Sequence, residues 1–131
     1  YDGKIDKSYK EKFNFISYQD ADKIKDVDKK KVRSYLKRID IINSYIRKIN
    51  AKPIFITSIT ASGYNKKTLL LNSALIKHCS IKKYTCIDSA RKLKGKVSYW
   101  YDGVHTTKEG SKAIADIITR ELLNFFNLNQ I

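Results

Sequence analysis

Methionine is absent from this sequence, proline occurs once, and histidine and cysteine occur twice each. Each scarcity narrows the reading. The spacing of Cys79 and Cys86 fits no zinc signature, which needs more Cys and His partners. They read as buried thiols, Cys86 lying inside an apolar run where a thiol behaves as a small hydrophobe; a disulfide between them is the alternative. No apolar run is long enough to cross a bilayer. Neither an initiator methionine nor a secretory leader opens the sequence, which starts at Tyr1 in a lysine-rich stretch. Low-complexity tracts, internal repeats and inter-domain linkers are also missing. The 131 residues suit one domain, and 42 % hydrophobic content suits a globular one.

Acidic residues are also scarce. Lys and Arg number 27 against 13 Asp and Glu, a formal net charge of +14. The excess falls in residues 32–131 and is spread along them, whereas residues 1–31 nearly balance. A nucleic-acid footprint is usually clustered. The dispersed charge therefore reads as a solvated surface with a general preference for anions, not a specific nucleic-acid site.

Along the chain, residues 1–28 mix charge with scattered aromatics and predict an irregular segment in which Phe13, Phe15 and Ile16 tuck against a core. From Lys29 to Asn50, Val32, Leu36, Ile39, Ile42 or Ile46, and Ile49 recur at three- and four-residue steps, which predicts an amphipathic helix capped by Asp28. Pro53 precedes Ile54-Phe55-Ile56-Thr57, a short run with the continuous hydrophobicity of a strand buried on both faces. Thr60 to Asn65 is loop chemistry. A second helix is expected over Lys67 to Lys77, and a second strand over Tyr84 to Ile87, closed by Asp88 as a turn or cap residue. Ser89 to Gly95 forms a short turn or helix. A third long helix runs from Thr107 to Asn127, with Ala113, Ile114, Ile117, Ile118, Leu122 and Phe125 on one face. Alternating helices and strands predict an α/β domain with a parallel sheet, and two clear strands are few for one.

Chemistry concentrates in W-Y-D-G-V-H-T-T-K-E-G. Asp102 and His105 flank Gly103, which lets the backbone turn. Thr106-x-x-Glu109 fits a capping box, so the pair is expected on a loop fixed by a helix start. A carboxylate beside an imidazole takes the hydrogen bond of one ring nitrogen and leaves the other to accept a proton from a hydroxyl. His78 has no carboxylate among its sequence neighbours and reads as a surface or part-buried residue. Ser62, in Thr60-Ala61-Ser62-Gly63, is the best local candidate for a nucleophile, ahead of Ser58, with lining the substrate cleft as the alternative role of its loop. It lacks the Gly-x-Ser-x-Gly setting of a strained nucleophile. Tyr99, Trp100 and Tyr101 read as core and rim packing, with Tyr101 a candidate for stacking on a sugar.

The segment C-I-D-S-A-R-K-L … Y-W-Y-D-G-V-H-T-T-K-E-G-S-K-A-I-A-D-I-I resembles the C-terminal part of SGNH (GDSL-type) hydrolases. In those enzymes a strand leads to Asp-x-x-His and then to a helix that begins near a glycine. The resemblance covers roughly residues 29–123 and is specific at Tyr101-Asp102-Gly103-x-His105 with Gly110. It implies a three-layer α/β/α sandwich with a parallel, flavodoxin-like sheet, and ester hydrolysis or acyl transfer with Asp102 orienting His105 as base. Acetylated carbohydrate is the implied substrate, with no metal or cofactor. The family's Gly-Asp-Ser and Gly-x-Asn-Asp motifs do not occur here. Residues 29–131 are therefore expected to be the C-terminal portion of such a domain, its first strands and its serine lying in an N-terminal segment or a second chain. A non-catalytic module that binds glycan or protein, and a basic domain that binds polyanions, are the competing readings.

Overall fold

The computed structural model describes residues 28–58, 66–93, 96–102 and 104–126. The expected irregular segment at the N-terminus and the Thr60–Asn65 loop, with Ser62, lie outside the described residues.

Helix α1 spans Lys29–Lys48. Asp28 caps it, its carboxylate accepting from the Lys31 backbone N–H at 3.0 Å. The helix stops two residues short of the expected end because Asn50 takes the left-handed conformation, φ 57°, which asparagine tolerates better than most side chains. Strand β1 (Ile54–Ile56) follows, then helix α2 (Lys66–Lys82), strand β2 (Thr85–Ile87), one turn of helix α3 (Ser89–Lys92) and a 3₁₀ turn at Val97–Tyr99. Helix α4 (Lys108–Phe126) completes the described part. β1 and β2 pair in parallel, with Ile54 opposite Thr85, Phe55 opposite Cys86 and Ile56 opposite Ile87. Parallel pairing needs a crossover connection, and α2 supplies it.

Among the described residues, two apolar clusters join these elements. In the first, Ile39 of α1 meets Leu75 and Cys79 of α2, with Tyr35, Phe55, Tyr84 and Cys86 packed around them. α1 therefore turns Ile39 and Asn43 inward, while Ile49, expected on the core face, is exposed; of the alternatives Ile42 and Ile46, Ile42 is exposed and Ile46 half-buried. Cys79 and Cys86 lie within this cluster and are joined as a disulfide, Cα to Cα 6.3 Å. The reading as separate thiols is thereby corrected: the turn at Lys83, φ 58°, folds β2 back along the end of α2 and brings the two sulfurs together. In the second cluster, Leu93 and Trp100 are covered by Tyr99 and by Ala113, Ile114 and Ile117 of α4. That is the face of α4 its periodicity predicts, although Phe125, at its far end, is exposed.

The expected three-layer α/β/α sandwich does not form. The described sheet has two strands of three residues each, and long helices make up most of the described residues. So small a sheet has too little face to separate two helical layers. β1 is not buried on both sides either, since Ile56 is exposed. The first cluster joins α1 and α2 with Phe55 of β1 and Cys86 of β2, and the second packs α4 against Leu93, Tyr99 and Trp100. Among the described residues no helix is long and apolar enough to cross a membrane.

Candidate functional site

The Asp-x-x-His segment forms a small hairpin between the 3₁₀ turn and α4. Trp100 and Thr106 face each other as an antiparallel bridge, and inside it the Tyr101 N–H donates to the His105 carbonyl at 2.9 Å. Trp100, only 1 % exposed, roots this hairpin in the second cluster. Its other anchor is the start of α4. The Thr107 N–H donates to the Tyr99 carbonyl at 2.9 Å, and the Thr107 hydroxyl donates to the Ser98 carbonyl at 2.8 Å. The same hydroxyl accepts from the Gly110 N–H at 3.1 Å. Thr107, one residue after the expected cap Thr106, therefore caps the helix. Thr106 instead shares a hydrogen bond with Ser111, 2.7 Å between hydroxyl oxygens.

Gly110 is required by this packing. A Cβ there would stand 2.1 Å from the Tyr99 carbonyl oxygen and 2.9 Å from the Tyr99 Cβ. No side chain fits without moving α4 away from the turn that carries the hairpin.

At the hairpin tip, Asp102 and His105 are paired. Asp102 Oδ2 accepts from His105 Nδ1 at 2.6 Å. Asp102 Oδ1 accepts from the backbone N–H groups of Val104 and His105, each at 2.7 Å. Three donors from a four-residue stretch thus converge on one carboxylate and fix its orientation. Since a carboxylate only accepts, the ring proton sits on Nδ1 and the Nε2 lone pair is the basic one. The pair is accessible, with side-chain exposures of 66 % for His105 and 35 % for Asp102. Tyr101 is half-buried at the root of the tip and bound to it through its backbone.

The carboxyl ends of the strands are closed by their own polar contacts. The Asn72 side chain of α2 binds both backbone groups of Ser58, its Oδ1 accepting from Ser58 N–H at 3.0 Å and its Nδ2 donating to Ser58 O at 2.8 Å. Thr57 donates to Asp88 at 3.2 Å and accepts from the Ala90 N–H at 2.9 Å, while Ser89 donates to the Thr57 carbonyl at 3.0 Å. Asp88 is the cap of α3, accepting from the Arg91 N–H at 3.3 Å.

A second carboxylate–imidazole pair was not legible in the sequence. His78 Nε2 lies 2.7 Å from Asp40 Oδ1, and the Tyr84 hydroxyl donates to the same oxygen at 2.9 Å. Burial pushes the Asp40 carboxyl up, but the hydrogen bonds from His78 and Tyr84, with the charges of His78 and Lys82, hold it below its usual value. Burial, then the Asp40 hydrogen bond and charge, push the Tyr84 phenol up. The His78 side chain is only 13 % exposed. This pair joins α1, α2 and the residue before β2, and its place against the first cluster makes it a structural clasp. Sequence held one clue: Asp40 is the sole acidic residue of α1, which carries eight Lys and Arg. Among the described residues no group of three or more His, Cys, Asp or Glu could hold a metal ion.

Comparison of the chain with protein-family models, curated proteins and solved structures returned no match.

Proposed function

We propose that the Asp102–His105 pair is the base of an ester-cleaving site of the SGNH type. The observation that carries this reading is the 2.6 Å contact between Asp102 Oδ2 and His105 Nδ1 on an exposed, rigidly rooted hairpin. His105 Nε2 takes the proton of a serine hydroxyl as its oxygen attacks the acyl carbon. The resulting imidazolium, held by Asp102, then protonates the departing alkoxide. Water repeats the sequence to release the acid, or a second alcohol accepts the acyl group. Serine comes from outside the described residues, either from Ser62 or from another segment. Small acyl esters are the substrate class, with acetylated carbohydrate first among them on the strength of the sequence resemblance; Tyr101, half-buried beside Asp102, is the residue we assign to meet a sugar ring.

The test is hydrolysis of a chromogenic acetate ester by the complete protein. His105→Ala is expected to lower kcat/KM by about a hundredfold or more, the usual contribution of a positioned general base. Asp102→Asn should lower kcat by a comparable factor, because an amide facing Nδ1 favours the wrong tautomer. Activity indifferent to both substitutions would refute the assignment.

A further inference from the structure

α1 carries more apolar surface than its packing uses. One face, with Ile39 and Asn43, is buried against the rest of the core. Around the helix from it stand Ile42, Tyr45 and Ile49 at steps of three and four, with Ile41 one turn before Tyr45. These four side chains are 46, 65, 76 and 44 % exposed in that order. A contiguous exposed stripe of this kind usually marks an interaction surface. Its border is cationic. Lys48 lies over the Tyr45 ring, 5.2 Å from its centre, and Lys37 and Lys48 line a shallow groove of about 500 Å³ with Asp40, Ile41, Ser44 and Tyr45. The helix carries eight Lys and Arg against one acid, Asp40, whose carboxylate is already engaged by His78 and Tyr84.

We propose that this face of α1 docks an acidic amphipathic helix of a partner protein. Apolar anchors spaced three and four residues apart on the partner match the stripe, and its Glu and Asp side chains match the lysine border. A second copy of this chain fits poorly, because symmetric pairing would set one cationic helix against another. An anionic bilayer would satisfy the lysines, but a flat headgroup surface offers no side chain to fill the groove. The docking surface is independent of the ester-cleaving reading and stands if that reading fails.

The probe is a synthetic helix of ~18 residues, about the length of α1, with leucines on one face and glutamates on the other. Its binding to the purified full chain is followed by fluorescence anisotropy. Binding is expected at low salt, weakening as salt rises. Tyr45→Asn with Ile49→Asn should weaken it at least tenfold without moving the unfolding midpoint, since both side chains are exposed. Lys37→Glu with Lys48→Glu should weaken it similarly and flatten the salt response. Several results overturn the proposal. Equal binding of the same peptide in scrambled order would mean that the face is a nonspecific cationic surface. Vesicles of phosphatidylserine and phosphatidylcholine must not replace the peptide as the ligand lost in the Tyr45/Ile49 variant. Self-association abolished by that variant would identify a second copy as the occupant. Crosslinks from Lys37 and Lys48 to residues 1–27 of the same chain, unchanged by saturating peptide, would show that the chain covers the stripe itself.

Discussion

Reducing the Cys79–Cys86 disulfide is expected to destabilise the fold by a calculable amount without emptying any part of the core. Both sulfurs remain in the first cluster after reduction, so packing is conserved to first order. What changes is the unfolded chain, which is released from a loop closed over a sequence separation of 7. Chain-entropy arguments assign such a loop about 8 cal/mol/K, or about 2.4 kcal/mol at 25 °C. For a domain of this size that is a fall in Tm of about 10 °C. Urea unfolding of the oxidised chain and of the chain kept reduced gives the comparison directly. Trp100, the only tryptophan, reports it from the second cluster. A single transition that shifts in that signal shows that both clusters unfold together.

Two results would refute this reasoning. Coincident urea midpoints, within about 0.5 kcal/mol, would mean that the loop constrains nothing in the unfolded ensemble. Alkylation of the denatured, unreduced chain at both cysteines would mean that the bond does not form. Disulfides persist in oxidising compartments. Protein recovered from a reducing cytosol should accordingly show the less stable transition until it is oxidised.

Three further expectations rest on single residues. Asp40→Asn should cost about 1 kcal/mol, a charged hydrogen-bond network discounted for its partial exposure. The wild-type advantage over this variant should be full above the ordinary carboxyl value of 3.8 and vanish as pH falls through the lowered folded value. The Tyr84 contribution runs the other way, being full below 10.0 and lost as pH rises through its raised folded value; midpoints measured across both pH ranges check the two signs. Gly110→Ala should destabilise by about 2 kcal/mol through overpacking against Tyr99 and should lower ester cleavage beyond any loss of folded protein, because α4 and the hairpin share that contact. Thr107→Ala should cost about 1–2 kcal/mol in urea unfolding, since one hydroxyl caps α4 and ties it to Ser98.

Local signals in the sequence located the elements, and long-range ones were lost. Asp28, a charged cap before a three-four periodicity, marked the start of α1, and two short apolar runs marked β1 and β2. Periodicity could not distinguish which of two apolar stripes on α1 faces inward, because Ile42 and Ile49 are as hydrophobic as Ile39 and Ile46. The choice is made by α2, whose Leu75 and Cys79 are offered to Ile39. The three-layer expectation failed for a related reason. Helix–strand alternation fixes neighbours in sequence, but the number of strands in a sheet depends on pairing partners that alternation does not count. Glu109 favours Thr106 as the cap, whereas the deciding contact is the Thr107 hydroxyl on the Ser98 carbonyl, nine residues back.

The two histidines show how place decides what the same pair of groups can do. Asp102 and His105 lie three residues apart, so a hairpin alone brings them together, and their meeting was readable from spacing. Asp40 and His78 lie 38 residues apart and meet only because α1 packs on α2. The first pair stands on a tip with its ring two-thirds exposed to solvent. The second has its ring nearly enclosed, and its carboxylate also serves a tyrosine. A base must exchange its proton with something that arrives, whereas a clasp must not. Exchanging the roles of the two pairs would therefore require moving backbone, not changing residues, and His78→Gln should lower stability while leaving ester cleavage by the folded fraction intact.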